Sequence, residues 1–360
     1  MQIVINGRFL TQAMTGVQRY AHEVTRALDV LLDQRPDLDV EMLCPRLENK
    51  PTGYRNIRIR EVGTRTGHGW EQIDLPKATA GRLLFCPGNT APASSLLRGK
   101  PVIVCVHDLS YLYFPTAYSR AFRLVYGFLT PLILKRARAV ITVSESERAA
   151  ITARYPYVKD RIVAIQNGGL AAPVPTTAVD PADTPEPGYV LYVGSLSKRK
   201  NFPNMLKVAT MIAKRRDARF VFVGGTAAGL EGSEQATAAD LSDQIIFAGQ
   251  VNDTARLVSL YRNAAVFMFP SFYEASPLPP IEAMACGAPV VSGAIPSLQE
   301  RCGDAALYCD PSDPNDIAKQ VEALLDDPKL RDTMIERGKA RAARFTWANC
   351  AARTLEVLER

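Results

Sequence analysis

Histidine and tryptophan are scarce, three and two in 360 residues, and the seven cysteines (44, 86, 105, 286, 302, 309 and 350) are scattered with no CxxC pair. So few soft ligands argue against a metal cluster, and an odd, unpatterned cysteine set argues against a disulfide framework. Each cysteine reads as a small buried apolar residue of a chain in a reducing cytosol. Long apolar runs are also missing. The widest, Leu124 to Leu134, is about eleven residues and carries Thr130 and Pro131, whereas a bilayer core of about 30 Å needs about 20. Gln2-Ile-Val-Ile5 reads as a buried strand without a basic n-region or cleavage site, so neither a transmembrane helix nor export by a secretory signal is expected. Disorder is excluded by 47% hydrophobic residues and a net charge of only +6. At about 100 to 200 residues per domain, the length allows about two.

What is present alternates. Short β-branched runs recur between amphipathic stretches: Gln2 to Ile5, Val40 to Leu43, Val102 to Val106, Ala139 to Val143, then Tyr189 to Val193, Phe220 to Val223, Ile245 to Phe247 and Val266 to Phe269. Continuous apolar strands between helices predict α/β domains with parallel sheets covered on both faces. Between the two sets, residues 171–188 hold five prolines, which cannot supply the hydrogen bonds of a helix or central strand and predict a linker. Charge divides at the same place. Residues 1–170 carry 23 Lys and Arg against 14 Asp and Glu, and the remainder 20 against 23. A basic half fits either an anionic partner or a solvated face.

The most specific segment follows Val266 to Phe269: Pro270-Ser-Phe-Tyr-Glu-Ala-Ser-Pro-Leu-Pro-Pro-Ile-Glu-Ala-Met-Ala-Cys-Gly-Ala-Pro-Val-Val291. It places Glu274 in a loop and Glu282 in the first turn of a helix opened by Pro279 and Pro280, where a carboxylate also complements the helix dipole. A second segment, Tyr189-Val-Leu-Tyr-Val-Gly-Ser-Leu-Ser-Lys-Arg-Lys-Asn-Phe-Pro203, gives a strand, a glycine turn at Gly194, basic residues, and a helix start with Asn201 as N-cap. Cations beside free helix N–H groups are a means of holding diphosphates, though an exposed basic turn reads the same way.

Together these segments resemble retaining glycosyltransferase family 4, which carries two glutamates with seven residues between them and a Val-Gly-x-Leu-x-x-x-Lys-Asn strand end. The resemblance implies the GT-B architecture, two Rossmann-like doubly wound domains facing a central cleft, here 1–170, a linker at 171–188, 189–345, and a last helix at 346–360 returning to the first domain. It implies that Glu274 sits against the donor sugar, that Glu282 accepts from the ribose diol, and that Lys200 with Arg199 neutralises the leaving diphosphate. Leu278 falls in the donor loop. Relatives commonly read Glu-Gly-Phe-Gly-Leu-Pro where this chain reads Glu274-Ala-Ser-Pro-Leu-Pro279, and Pro277 has no N–H to offer. Sugar contacts there must differ. Ser195 also stands where many relatives have arginine.

Three further stretches match more loosely. Phe247-Ala-Gly-Gln-Val-Asn-Asp253 resembles a base-binding turn, with Val251 near the base and Asp253 either an acceptor or a helix cap. Gly7-Arg-Phe-Leu-Thr-Gln-Ala-Met-Thr-Gly-Val-Gln-Arg-Tyr20 resembles the loop in which Gly16 lets backbone approach a phosphate, and equally a plain glycine turn. His107-Asp108 ends the strand Val102 to Val106, at the edge where ligands bind in doubly wound sheets. The resemblance puts His107 beside the sugar's anomeric carbon. Asp108 either orients the ring or meets acceptor.

The expectation is a cytoplasmic, retaining hexosyltransferase that takes a nucleotide sugar as substrate, with no cofactor and no metal. Mannose from GDP comes first and a UDP-hexose next, passed to a glycan or lipid-linked acceptor in cell-surface polysaccharide synthesis. A nucleotide-sugar 2-epimerase and a non-catalytic nucleotide-binding protein are the alternatives. Tyr118 to Arg138 mixes Phe122, Tyr126 and Phe128 with Arg120, Arg123, Lys135, Arg136 and Arg138, and is either a core helix with a wet rim or a peripheral contact to the inner face of an anionic membrane. Nucleic acid is not expected as a partner, because no recognition motif accompanies the charge.

Overall fold

The computed structural model describes residues 1–49, 51–170, 185–225 and 243–360. The linker expected at 171–188 therefore lies, from 171 to 184, outside the described residues. The chain divides into two compact units, Met1–Gly168 with Trp347–Arg360, and Gly169–Thr346.

In the first unit seven strands form one sheet: β1 (Gln2–Asn6), β2 (Asp39–Cys44), β3 (Arg58–Glu61), β4 (Leu83–Cys86), β5 (Val102–Cys105), β6 (Ala139–Thr142) and β7 (Ile162–Ala164), in the order β3-β2-β1-β4-β5-β6-β7. Every pairing is parallel, with Ile3 opposite Val40 on one side and Leu83 on the other. The interior strands are buried almost throughout, as a sheet covered on both faces requires. The edge strand β3 is polar and is held by charge, Arg58 to Asp39 at 2.7 Å and Arg60 to Glu41 at 2.7 Å. The Arg60 hydrogen bond leads the effects that hold the Glu41 carboxyl down at about 2.

In the second unit β8 (Tyr189–Val193), β9 (Phe220–Val223), β10 (Ile245–Gly249), β11 (Ala264–Phe269), β12 (Val290–Gly293) and β13 (Ala306–Cys309) order as β10-β9-β8-β11-β12-β13, again all parallel. In each unit the strand order reverses once, between β1 and β4 and between β8 and β11. Such switch points open a crevice beyond the carboxyl ends of the strands, where doubly wound sheets take their ligands.

The helices that matter below are α1 (Gly16–Leu31), α2 (Arg120–Arg136), α3 (Phe202–Ala213), α4 (Thr254–Arg262), α5 (Pro279–Ala285), α6 (Pro296–Cys302) and α7 (Trp347–Glu359). Six of the seven cysteines are buried, and burial pushes the Cys302 and Cys309 thiols up to about 12, which keeps them inert. No helix among the described residues is long and apolar enough to cross a membrane.

Candidate active site

The second unit assembles its polar groups at the β8/β11 switch point. Here β8 is followed by Gly194 with φ +153°, and β9 by Gly224 with φ +150°. A Cβ on Gly224 would stand 1.9 Å from the Gly194 carbonyl oxygen, and one on Gly194 would stand 2.7 Å from Tyr192 Oη. The two strand ends approach this closely only because both residues are glycine. The Gly194 N–H donates to Val223 O at 2.9 Å.

Beyond Gly194 the chain turns through Arg199 and Lys200. Lys200 Nζ reaches Glu274 Oε1, in the loop after β11, at 2.5 Å, and the side chains are 15% and 6% exposed. The ammonium also lies 5.4 Å from the centre of the Phe269 ring. Arg199 Nη1 donates to Tyr273 O at 3.3 Å, and Phe272 N donates to Arg199 O at 3.2 Å. The loops after β8 and β11 thus hold each other, and residues 74 apart in sequence meet as one charged pair. Burial first, and then the Glu274 charge, push the Tyr192 phenol well above its usual range. It therefore stays protonated and donates to Ser195 O at 2.9 Å.

Asn201 departs from its expected role. It occupies the N-cap position of α3, but with φ +66° and no side-chain cap. Its amide instead donates to Pro270 O at 2.8 Å and Pro311 O at 2.6 Å. This pins the residue after Lys200 to the end of β11.

Glu282 lies in the first turn of α5, 1% exposed, and its Oε2 accepts a hydrogen bond from Tyr261 Oη of α4 at 3.0 Å. Asp253 serves as the N-cap of α4, accepting from Ala255 N at 3.0 Å and Arg256 N at 3.3 Å. Val251 is half-buried in the loop between β10 and α4, and Leu278 is the buried residue from which α5 starts.

His107 and Gly16 belong to the first unit. His107 is 5% exposed beyond β5, with the Tyr20 ring edge-on at 4.7 Å. Its Nε2 is 2.9 Å from Pro87 O, and its backbone N–H donates to Asn89 Oδ1 at 2.7 Å. A carbonyl only accepts, so Nε2 carries the proton. Burial lowers the ring's pKa and favours the neutral form, whose Nδ1 is then an acceptor. Asp108 does not orient this ring through a hydrogen bond: its Oδ1 takes Ser110 N at 2.9 Å and Ser110 Oγ at 2.6 Å. Gly16 opens α1, and a Cβ there would meet nothing within 4 Å, so local packing does not require glycine.

Buried polar residues that the sequence does not mark stand in both units. In the first unit Arg8, just past β1, is buried with Glu71 at 3.4 Å and donates to Thr90 Oγ1 at 2.9 Å, while Asn6 Nδ2 donates to Glu71 Oε1 at 2.7 Å. In the second, Tyr261 and Arg301 are fully buried polar side chains. Nothing in the local pattern of α4 or α6 distinguishes them from exposed positions. Their partners lie 21 and 24 residues away.

Comparison with known proteins follows this division. Residues 14–168 match the model of Glycosyltransferase Family 4, and residues 179–341 match that of Glycosyl transferases group 1. O-antigen chain mannosyltransferase B of Escherichia coli is 32% identical over 236 residues, which is 62% of this chain and 61% of that protein. O-antigen chain mannosyltransferase RfbU of Salmonella typhimurium is 27% identical, over 68% of this chain and 66% of its own length. The chain thus spans less than two thirds of either relative. In three dimensions, the Anabaena HepE protein solved with UDP and glucose superposes with a TM-score of 0.71 at 16% identity, covering 100% of this chain and 99% of that one. The fold is the GT-B arrangement of two Rossmann-like units.

Proposed function

Since the chain belongs to glycosyltransferase family 4, we propose that it is a retaining, metal-independent hexosyltransferase. It moves mannose from GDP-mannose to a hydroxyl of a glycan or lipid-linked glycan in polysaccharide synthesis. The observation that carries this reading is the Lys200–Glu274 pair at the β8/β11 switch point. An ammonium and a carboxylate held apart from water at a ligand-binding crevice suit a substrate with a diphosphate at one end and sugar hydroxyls at the other.

As the bond from the anomeric carbon to the phosphate oxygen breaks, charge builds on the diphosphate. Lys200 and Arg199 stabilise it electrostatically. Among the described residues no three His, Cys, Asp or Glu side chains converge on a cation site, and in this proposal the two basic residues do that work. Glu274 aligns the sugar, and Glu282, steadied by Tyr261, takes the ribose diol. Val251 and Asp253 border the base, and the Leu278 backbone faces the donor. By the family resemblance, Gly16 and the neutral His107 are further donor contacts. The acceptor hydroxyl attacks on the leaving group's side, and its proton passes to the departing phosphate oxygen.

Mannose is favoured because the O-antigen relatives are named as mannosyltransferases. A UDP-hexose is the other candidate, since the HepE structure contains UDP. The acceptor is proposed to be lipid-linked on the strength of α2. Arg120, Arg123, Leu124 and Phe128 share one face of this helix, with Leu124 77% and Phe128 66% exposed. Cations beside apolar side chains suit an anionic bilayer.

A melting panel with GDP, UDP, ADP and their sugars tests the reading. A nucleotide at about 100 times its dissociation constant adds about 2.7 kcal/mol. The largest shift is expected with GDP, and a larger one with UDP reassigns the donor to a UDP-hexose. No shift with any nucleotide overturns the proposal. Labelled donor appearing in polymer, rather than as an epimerised free sugar, identifies the transfer.

A further inference from the structure

Arg301, on α6, is fully buried. Removing a guanidinium from water costs several kcal/mol unless its donors and its face find partners, so its surroundings indicate its task. Nε donates to the Pro277 carbonyl oxygen at 3.3 Å. The guanidinium carbon lies 4.2 Å from the centre of the Phe345 ring. Arg341 braces the arrangement, donating from Nε to Arg301 O at 3.0 Å with its own guanidinium carbon 5.2 Å from the same ring. Phe345 O accepts the N–H of Gly169 at 2.9 Å. The planar guanidinium is therefore backed on one side by an aromatic face, with its Nε turned to the Pro277 carbonyl.

That carbonyl belongs to the loop between Glu274 and α5. In a trans peptide the C=O and N–H point in opposite directions. Turning Pro277 O inward to Arg301 turns the Leu278 N–H outward from it, and among the described residues this N–H donates to no acceptor. Proline at 277 has no N–H, so the Leu278 N–H is the first free donor after Ser276.

We propose that Arg301 is a positioning residue for donor recognition. By holding the Pro277–Leu278 peptide, it presents the Leu278 N–H to an oxygen of the nucleotide sugar and replaces, one residue later, the donor that proline removes. The inference rests on reading the Glu274 loop as the donor site.

The test begins with Arg301→Met, which keeps length and apolar stem and leaves no unpaired buried charge. The KM for the nucleotide sugar is expected to rise about tenfold, the worth of one hydrogen bond of about 1.4 kcal/mol, with kcat and the acceptor KM within about twofold. Arg301→Lys, which keeps a donor for Pro277 O, is expected to recover KM to within about threefold of wild type. Leu278→Pro removes the N–H itself, and combined with Arg301→Met it is expected to add no further loss in KM, because both changes remove one interaction. If Arg301→Met lowers melting temperature and kcat with KM unchanged, or if Arg301→Lys fails to recover KM, Arg301 is only structural and the proposal falls. If the wild-type protein binds no nucleotide in the melting panel, the donor-site reading fails and takes this inference with it. If the wild type binds and KM does not move, only the inference fails.

Discussion

At the scale of single residues, the site combines what sequence patterns display with what they hide. Lys200 and Glu274 were legible because each stands in a stretch of family-like sequence, and the structure makes them one pair. Tyr261 and Arg301 were not. A polar side chain on a buried helix face obeys the same periodicity as an apolar one, and its partner is set by tertiary packing. Tyr261→Phe tests the hidden part. It removes the Tyr261 Oη hydrogen bond to Glu282 Oε2, and the expected outcome is a nucleotide dissociation constant roughly fivefold higher and a stability loss of about 1 kcal/mol. An unchanged constant by calorimetry would separate Tyr261 from ligand binding. His107 supplies a pH dependence. Burial lowers its pKa in the folded state, as burial and then the Arg26 charge do for His22. The unfolded chain therefore takes up protons near pH 6.5 that the folded chain refuses, so stability is full above that pH and falls as pH drops below it. The melting temperature is expected to hold from pH 8 to about 7 and decline toward pH 5.5. His107→Gln, which keeps a donor for Pro87 O, should flatten the slope by up to about 1.4 kcal/mol per pH unit. An identical slope in that variant would mean that His107 is accessible to protons.

At the scale of elements, strands were readable where apolar runs are continuous and hidden where other forces hold the chain. Tyr189–Val193 and Phe220–Val223 coincide with their expected bounds. By contrast, β3 reads Arg58-Ile-Arg-Glu61 and pairs through ion pairs with Asp39 and Glu41, an attraction that leaves no hydrophobic pattern. Strands β4 and β7, of four and three residues, are too short for alternation to register, and they gain their place from neighbours already paired. Asn201 holds the expected N-cap position but makes no side-chain cap, for a related reason. Asparagine before a helix signals a cap, but here a left-handed backbone turns its amide toward carbonyls that come from Pro270 and Pro311. The crevice itself depends on strand ends that only glycine permits. Gly224→Ala would press a Cβ to 1.9 Å from the Gly194 carbonyl oxygen in a backbone conformation that favours glycine. It is expected to cost at least about 2 kcal/mol in urea unfolding and to abolish the nucleotide-induced shift. Gly225→Ala, whose Cβ would sit 3.7 Å from Gln250 Oε1, should change stability by less than about 0.5 kcal/mol.

At the scale of the whole molecule, two sets of strands announce two sheets, yet neither set shows how the last helix is used. Only the family resemblance implies that this last helix, α7, returns to the first domain. In the structure it completes the first unit, where Trp347, Leu355, Val357 and Leu358 are buried and the Tyr20 ring of α1 lies 6.1 Å from that of Trp347. Gly168 fits beneath this tryptophan because a Cβ would stand 2.5 Å from the indole. Four such side chains contribute about 1.5 to 3 kcal/mol each, which is comparable to the entire stability of an ordinary domain at about 5 to 15 kcal/mol. Ending the chain at Thr346 should therefore unfold the first unit. The second unit keeps its own sheet and, with it, Lys200, Glu274 and Glu282. Calorimetry of the truncated chain is expected to lose one unfolding transition and retain another that still rises with added nucleotide, while transfer activity disappears. Loss of the nucleotide response along with the first transition would show that the second unit does not bind donor by itself, and would count against the Lys200–Glu274 pair as the carrier of the site.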